Sequence, residues 1–361
     1  FIKCMKYLPN ITPLRFILAL LVIVFHVPQF LRNRGLPYFD EFAVFHRGME
    51  AVYMFFSLSG FLIIRMLYLE KATTNSISIK NFYIRRGLRI FPLYFLIVFF
   101  GLFYYNFFLS QIGIPFESDY SIIEGLLLAV FFLPNVFAVL HQPGGILEIL
   151  WSIGIEEQFY LIIAPALTMI KRKYILFFLT VFTLGYFALY ASHLVPLLSK
   201  YLMLFFYFSF GGLVSICAVK FHFKFRKSIL LKWIFLLIFL LYFTTNLFTW
   251  ASAAGYHAIS MVLFGLFLWS VTDKPLFEIK NKKLIYLGKI SYGIYMFHGI
   301  AMHLIGFLTL KTVGFLNLPD AITIISYTVA VIVLTIVLAH FSYRYYESYF
   351  LRLKTKFSVL T

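Results

Sequence analysis

The chain has 361 residues, 62% of them hydrophobic and only 12% charged, with a net charge of +17 and a mean hydropathy of +0.91. Soluble domains are nearer half apolar and a quarter charged, so the composition excludes a soluble globular fold and makes the bilayer the solvent for most of the chain. The basic residues sit in short clusters between apolar runs, which is the pattern of cytoplasmic loops and not of a nucleic-acid-binding surface.

Spans of about twenty mostly apolar residues are predicted at roughly 14–31, 50–69, 91–109, 122–140, 150–169, 174–192, 201–219, 231–249, 256–272, 290–308 and 321–343. The first lacks a small-residue cleavage site and is followed by many others, so it reads as an uncleaved span. Phe occupies position 1, and a native start preceding this numbering is expected. No internal repeat, heptad pattern or low-complexity tract separates the chain into parts, and a single domain over 1–361 is expected.

The Lys/Arg distribution decides which segments cross. With Lys3 and Lys6 on the cytoplasmic side, the loop carrying Lys71, Lys80, Arg85, Arg86 and Arg89 is also inside, and the loop with Glu117 and Asp119 is outside. If 122–140 crossed, three clusters would fall outside together: Lys171-Arg172-Lys173, then Lys220, Lys224, Arg226 and Lys227, then Lys280, Lys282 and Lys283. If it does not cross, all three are inside, as is the tail with Arg352, Lys354 and Lys356, and the positive-inside rule holds throughout. The expected fold is therefore an all-α polytopic integral membrane protein. It has about ten transmembrane helices and both termini in the cytoplasm. Residues 122–149 form a re-entrant or interfacial segment, where Pro134, Asn135, His141 and the Pro143-Gly144-Gly145 break suit backbone that lines a cavity. Cys4 and Cys217 then face the cytoplasm and are expected as reduced thiols.

Ionisable groups within spans are costly and mark polar cavities. In PLRFILALLVIVFH, Arg15 and His26 are eleven residues apart, about three helical turns and roughly 16 Å along one face. A neutral imidazole in the outer half is suited to act as general base, although a snorkelling arginine and an interfacial histidine also fit this segment alone. In FYIRRGLRIF, Arg85, Arg86 and Arg89 can share a helix face at a cytoplasmic mouth and clamp phosphate, or can simply anchor the span. In LWSIGIEEQFYL, Glu156 and Glu157 lie inside an apolar run and must be paired or protonated. Glu156 has Ser152 and Tyr160 at i−4 and i+4, giving one polar face. Late in the chain, Ser291, Tyr295 and His298 form a polar stripe, and Tyr292 lies at i−3 from Tyr295. His257, His303 and His340 carry no motif. Spacing offers no metal site, nucleotide loop or nucleophile elbow.

Together these motifs resemble the acyltransferase-3 family of integral-membrane acyltransferases. Arg15-x10-His26, FFSLSGFLI at 55–63 with Ser57 and Ser59, Arg86-x-x-Arg89, WSIGIEEQFYL and SYGIYMFH occur in the family's order over essentially the whole chain. Tyr53 stands where the family often has Asp before the Phe-Phe pair, with Glu50 three residues earlier. No SGNH-type hydrolase domain is expected after residue 361, although some members carry one.

The resemblance implies transfer of an acyl group, most often acetyl, from cytoplasmic acyl-CoA to a hydroxyl of a glycan or glycolipid outside a bacterial plasma membrane. Arg86 and Arg89, with Arg15 or Arg85, would hold the CoA phosphates. His26 would be the base and Glu156 its carboxylate partner, with Glu157, Tyr160, Ser57, Ser59, Tyr292 and His298 as further candidates. A covalent acyl-histidine is the rival mechanism. The reading from another class is a transporter or flippase, which calls for inverted repeats or paired broken helices, and neither is evident. Expected partners are acyl-CoA, the acceptor and the bilayer, with no metal and no nucleic acid. The oligomeric state is open.

Overall fold

The computed structural model describes residues 8–114, 116–221, 228–316 and 318–357; Lys3, Cys4, Lys6, Lys224, Arg226 and Lys227 lie outside the described residues. Among the described residues every regular element is helical. The principal helices are α1 (Ile11–Arg32), α2 (Gly48–Thr74), α3 (Ile79–Phe103), α4 (Ile122–Val130), α5 (Pro134–His141), α6 (Gly145–Glu148), α7 (Trp151–Met169), α8 (Ile175–Ala191), α9 (Phe205–Lys220), α10 (Ile229–Thr244), α11 (Ala253–Thr272), α12 (Lys282–Lys289), α13 (Ser291–Leu316) and α14 (Asp320–Ser342). Two of them, α3 and α14, run on through π turns at Tyr104–Phe108 and Tyr343–Glu347.

This is an all-α polytopic membrane protein. Seven helices among the described residues are long and apolar enough to cross a bilayer: α1, α2, α3, α8, α11, α13 and α14. The other three expected crossings coincide with helices of a different character. α9 and α10 have 16 residues each, a rise of about 24 Å against a hydrocarbon core of about 30 Å. α7 has 19 residues, and Glu156 and Glu157 interrupt its apolar run. The segment expected not to cross is three short helices, α4 to α6, of nine, eight and four residues; none is long enough to span.

By its internal contacts the chain divides into two compact units, the first formed by Phe1–Leu69, Leu176–Thr183 and Phe206–His340, the second by Glu70–Ile175, Leu184–Phe205 and Phe341–Thr361. In the first, α1 packs on α12 and α13, and α10 on α11. Glycines set the closest approaches. A Cβ on Gly60 of α2 would stand 1.9 Å from the Phe208 carbonyl oxygen of α9, one on Gly211 2.1 Å from that of Ser57, and one on Gly288 of α12 1.8 Å from that of Thr12. Polar ties fix the ends. Arg47 donates to the Thr245 carbonyl at 2.7 Å and to the Tyr256 hydroxyl at 2.6 Å, and that hydroxyl donates to Glu50 at 2.7 Å. Lys232 caps the end of α11 through the Asp273 carbonyl at 2.8 Å and that of Lys274.

In the second unit Lys71 plays the same capping part for α7. Its ammonium donates to the carbonyls of Leu167, Thr168 and Ile170 at 2.8, 2.8 and 2.6 Å, which satisfies groups a helix end otherwise leaves open. The irregular backbone between α4 and α5 is satisfied from α7, since Gln158 donates to the Phe132 carbonyl and to Asn135 Oδ1, both at 2.8 Å. Gly144 has φ of +96°, and a Cβ there would meet the Tyr105 ring at 2.3 Å; the Tyr105 hydroxyl accepts from Ile146 N–H at 3.0 Å. Non-helical backbone at membrane depth is tolerable when protein covers it in this way.

Candidate functional site

The second unit gathers the arginine and glutamate motifs. Arg85, Arg86 and Arg89 come from α3, and Glu156, Glu157 and Tyr160 from α7. The guanidinium of Arg86 lies 5.6 Å from the centre of the Tyr160 ring, and the Tyr160 hydroxyl donates to Glu156 Oε1. Arg89 is within electrostatic reach of Arg86, Glu156, Tyr160 and Glu347. Glu347 is buried in the π turn after α14 and accepts from the Ser342 hydroxyl at 2.9 Å. Glu157 is buried.

The three arginines do not share one environment. Arg85 is buried and forms a 3.2 Å ion pair with Glu70, while its other terminal nitrogen donates to the Phe357 carbonyl at 2.7 Å. Glu70 also accepts from Ser78 N–H at 2.8 Å. Arg85 therefore ties the start of α3 to the end of α2 and to the tail. Arg85 and Arg86 each have a buried Nε with no hydrogen-bond partner among the described residues, and Glu157 and Gln158 each have such an Oε1. Arg86 is within electrostatic reach of Glu157, and Arg89 of Glu156 and Glu347.

The first unit gathers the histidines. The packed face of α1 carries the buried residues Ile11, Leu14, Leu18, Val22 and Ile23. Arg15 and His26, both half-buried, belong to that side, and the exposed Ile17 points away from it. His26 Nδ1 donates to the Val22 carbonyl at 2.9 Å. A carbonyl can only accept, so this bond puts the proton on Nδ1 and leaves the lone pair on Nε2. The rings of His26 and His298 stand 5.2 Å apart, inclined at 61°. His298 is 1% exposed. Its Nδ1 donates to the Tyr295 carbonyl, and its Nε2 has no hydrogen-bond partner among the described residues.

Of the other candidates in this unit, Ser57 is fully buried with its hydroxyl unpartnered among the described residues, and Ser59 and Tyr292 are half-buried. The histidines without a motif are held by neighbours: His257 by the Tyr207 hydroxyl at 3.0 Å, His340 by that of Tyr286 at 2.6 Å, and His303 by the Gly299 carbonyl at 2.8 Å. Glu70, Glu347, Arg47 and Tyr256 were not legible as site residues, because their partners are remote in sequence or, for Arg47, because a basic residue before a helix start is unremarkable; Glu50 was legible only from its place one turn before Tyr53. His26 and Glu156 fall in different units.

A polytopic helical membrane protein with an imidazole base candidate and an arginine cluster has the make-up of a membrane acyltransferase. The chain matches the family model described as an acyltransferase domain over residues 9–340, and it belongs to this acyltransferase-3 family. A protein of Staphylococcus aureus (strain COL), provisionally named an O-acetyltransferase, is 25% identical over 393 residues, 96% of this chain and 58% of that protein. The peptidoglycan O-acetyltransferase OatA of Listeria monocytogenes is 30% identical over 178 residues, 47% of this chain and 25% of that protein. A provisionally named acetyltransferase of the Acidianus two-tailed virus is 27% identical over 314 residues, 83% of this chain and 85% of that protein. The chain thus spans less than two thirds of the staphylococcal relative's length. No solved structure matches it significantly.

Proposed function

We propose that this enzyme moves an acetyl group from cytoplasmic acetyl-CoA to a hydroxyl of a glycan on the far side of a bacterial plasma membrane, with both chain termini in the cytoplasm. The observation that carries the reading is the tautomer of His26: its Nδ1–H is committed to Val22, so its Nε2 lone pair is available to a hydroxyl. In this mechanism Nε2 takes the proton of the acceptor hydroxyl. The oxygen attacks the thioester carbonyl carbon, the carbon–sulfur bond breaks, and CoA leaves as the thiolate. The proton on His26 then passes to that sulfur. Arg86, which keeps unused donor capacity, and Arg89 take the phosphates of CoA. Glu156 serves the donor end by holding Tyr160 against Arg86.

Peptidoglycan, the acceptor in the name of the Listeria relative, is the first acceptor to test. The test uses the protein in lipid nanodiscs with acetyl-CoA and peptidoglycan fragments. His26→Ala is expected to lower transfer by at least about 100-fold, the usual worth of general base catalysis, with acetyl-CoA binding retained. Full transfer by His26→Ala would remove the mechanism, and failure of acetyl-CoA to bind the wild-type protein would remove the donor.

A further inference from the structure

We infer that His298 is a positioning residue for the acyl transfer, acting through His26 as the acceptor that stabilises the proton His26 takes up. The inference rests on the reading of His26 as the base. Three observations carry it. The two rings stand 5.2 Å apart, a separation that one N–H···N hydrogen bond between imidazoles can bridge after a modest turn of the rings. Each ring has its Nδ1–H bound to a carbonyl of its own helix, His26 to Val22 and His298 to Tyr295, so both carry their lone pairs on Nε2. His298 is buried, and its Nε2 has no hydrogen-bond partner among the described residues.

An orphaned buried acceptor is costly. A buried imidazole is more cheaply replaced by an apolar ring unless that acceptor is used during the cycle. His26 supplies the use. While neutral it has no proton at Nε2 to give. Once it has taken the acceptor's proton it has one, and the lone pair of His298 can receive it as a charge-assisted hydrogen bond. The same proton then goes to the departing thiolate, and His298 ends the cycle unchanged. The titratable groups the structure sets around His298 are His26 and the Tyr295 phenol, whose ring centre is 5.5 Å away. A buried carboxylate behind a catalytic histidine stabilises the same charge from the opposite ring nitrogen. Here the tautomer of His26 is already set within its own helix, so the second group has only to receive the proton's charge.

The experiment compares wild type, His298→Phe, His298→Gln and His26→Ala in nanodiscs, with acetyl-CoA as donor and peptidoglycan fragments as acceptor, measuring kcat and KM across pH. His298→Phe keeps a ring in the packing but offers no acceptor. It is expected to lower kcat about 10- to 100-fold, the worth of a hydrogen bond to a charged group, with KM for acetyl-CoA unchanged. Because the lost bond favours the protonated form of His26, the acid limb of the kcat profile should move to lower pH. His298→Gln, which restores an acceptor, should recover part of kcat. As a reading independent of turnover, nitrogen-15 spectra of labelled histidine should show His26 and His298 titrating together in the wild type. The idea is overturned if His298→Phe keeps wild-type kcat, or loses it with the acid limb unmoved. Activity surviving in His26→Ala would instead sink the base assignment beneath it, so the two failures are distinguishable.

Discussion

At the scale of single residues, the arginine motif separates into two jobs. Arg85 is spent on structure: its terminal nitrogens bind Glu70 and the Phe357 carbonyl. Removing one partner of a buried ion pair typically costs about 3–5 kcal/mol, because the other charge is left uncompensated. Arg85→Ala is therefore expected to lower the unfolding temperature sharply, and Glu70→Gln to do likewise. The double variant should be less damaged than the sum of the singles, a coupling readable in a double-mutant cycle. Arg86→Ala is expected to raise KM for acetyl-CoA and to abolish stabilisation by added CoA, since a ligand stabilises only the state that binds it. Glu156→Gln sorts the two roles open to that carboxylate. A rise in KM with kcat kept places it with the donor, whereas a fall in kcat at constant KM places it with the proton transfer. The sequence carried all three arginines at helical spacing, but it could not divide them. Glu70 lies fifteen positions before Arg85, and only the folded chain shows that they pair.

At the scale of helices, the hydrophobic runs were plain and their contacts were not. The four-residue spacing of Gly211 and Ser215 is common in membrane helices. In the structure Gly211 and Gly60 are where α9 and α2 cross backbone to backbone, the use small residues commonly serve in helix pairs. A methyl group at either position overlaps a carbonyl, which cannot rotate away, so the helices must separate. Gly60→Ala and Gly211→Ala are each expected to cost about 1–3 kcal/mol, the usual range for overpacking, seen as a fall in the thermal unfolding midpoint in detergent. Gly185→Ala is the control. It lies inside α8, where an added Cβ meets nothing within 4 Å, and it should be neutral or stabilising by about 0.5–1 kcal/mol through the lost freedom of glycine. The interruption at 122–149 was legible from Pro134, Asn135 and the Pro143-Gly144-Gly145 break. The donors that make it affordable in a membrane, Gln158 and Tyr105, come from other elements and were not.

At the scale of the whole chain, sidedness rests on parity. α4 to α6 are each too short to span; if together they leave the chain on the side from which it entered, every later loop inherits that outcome. With α7 crossing, Lys171-Arg172-Lys173 falls on the same side as the basic loop before α3, and the Lys280–Lys283 cluster follows it if α9 and α10, of 16 residues each, both cross or neither does. Lys71 and Lys232, which cap the ends of α7 and α11, would then lie on the inner side, where positive charge is favoured. The test replaces Cys4 and Cys217 by Ser and introduces single cysteines at Ser118, Arg172 and Lys282. A membrane-impermeant maleimide applied to intact cells should label Ser118→Cys alone, and the other two only after permeabilisation. Outside labelling at both Arg172→Cys and Lys282→Cys would mean that 122–149 carries the chain across. Outside labelling at Lys282→Cys alone would mean that one of the short helices, α9 or α10, does not.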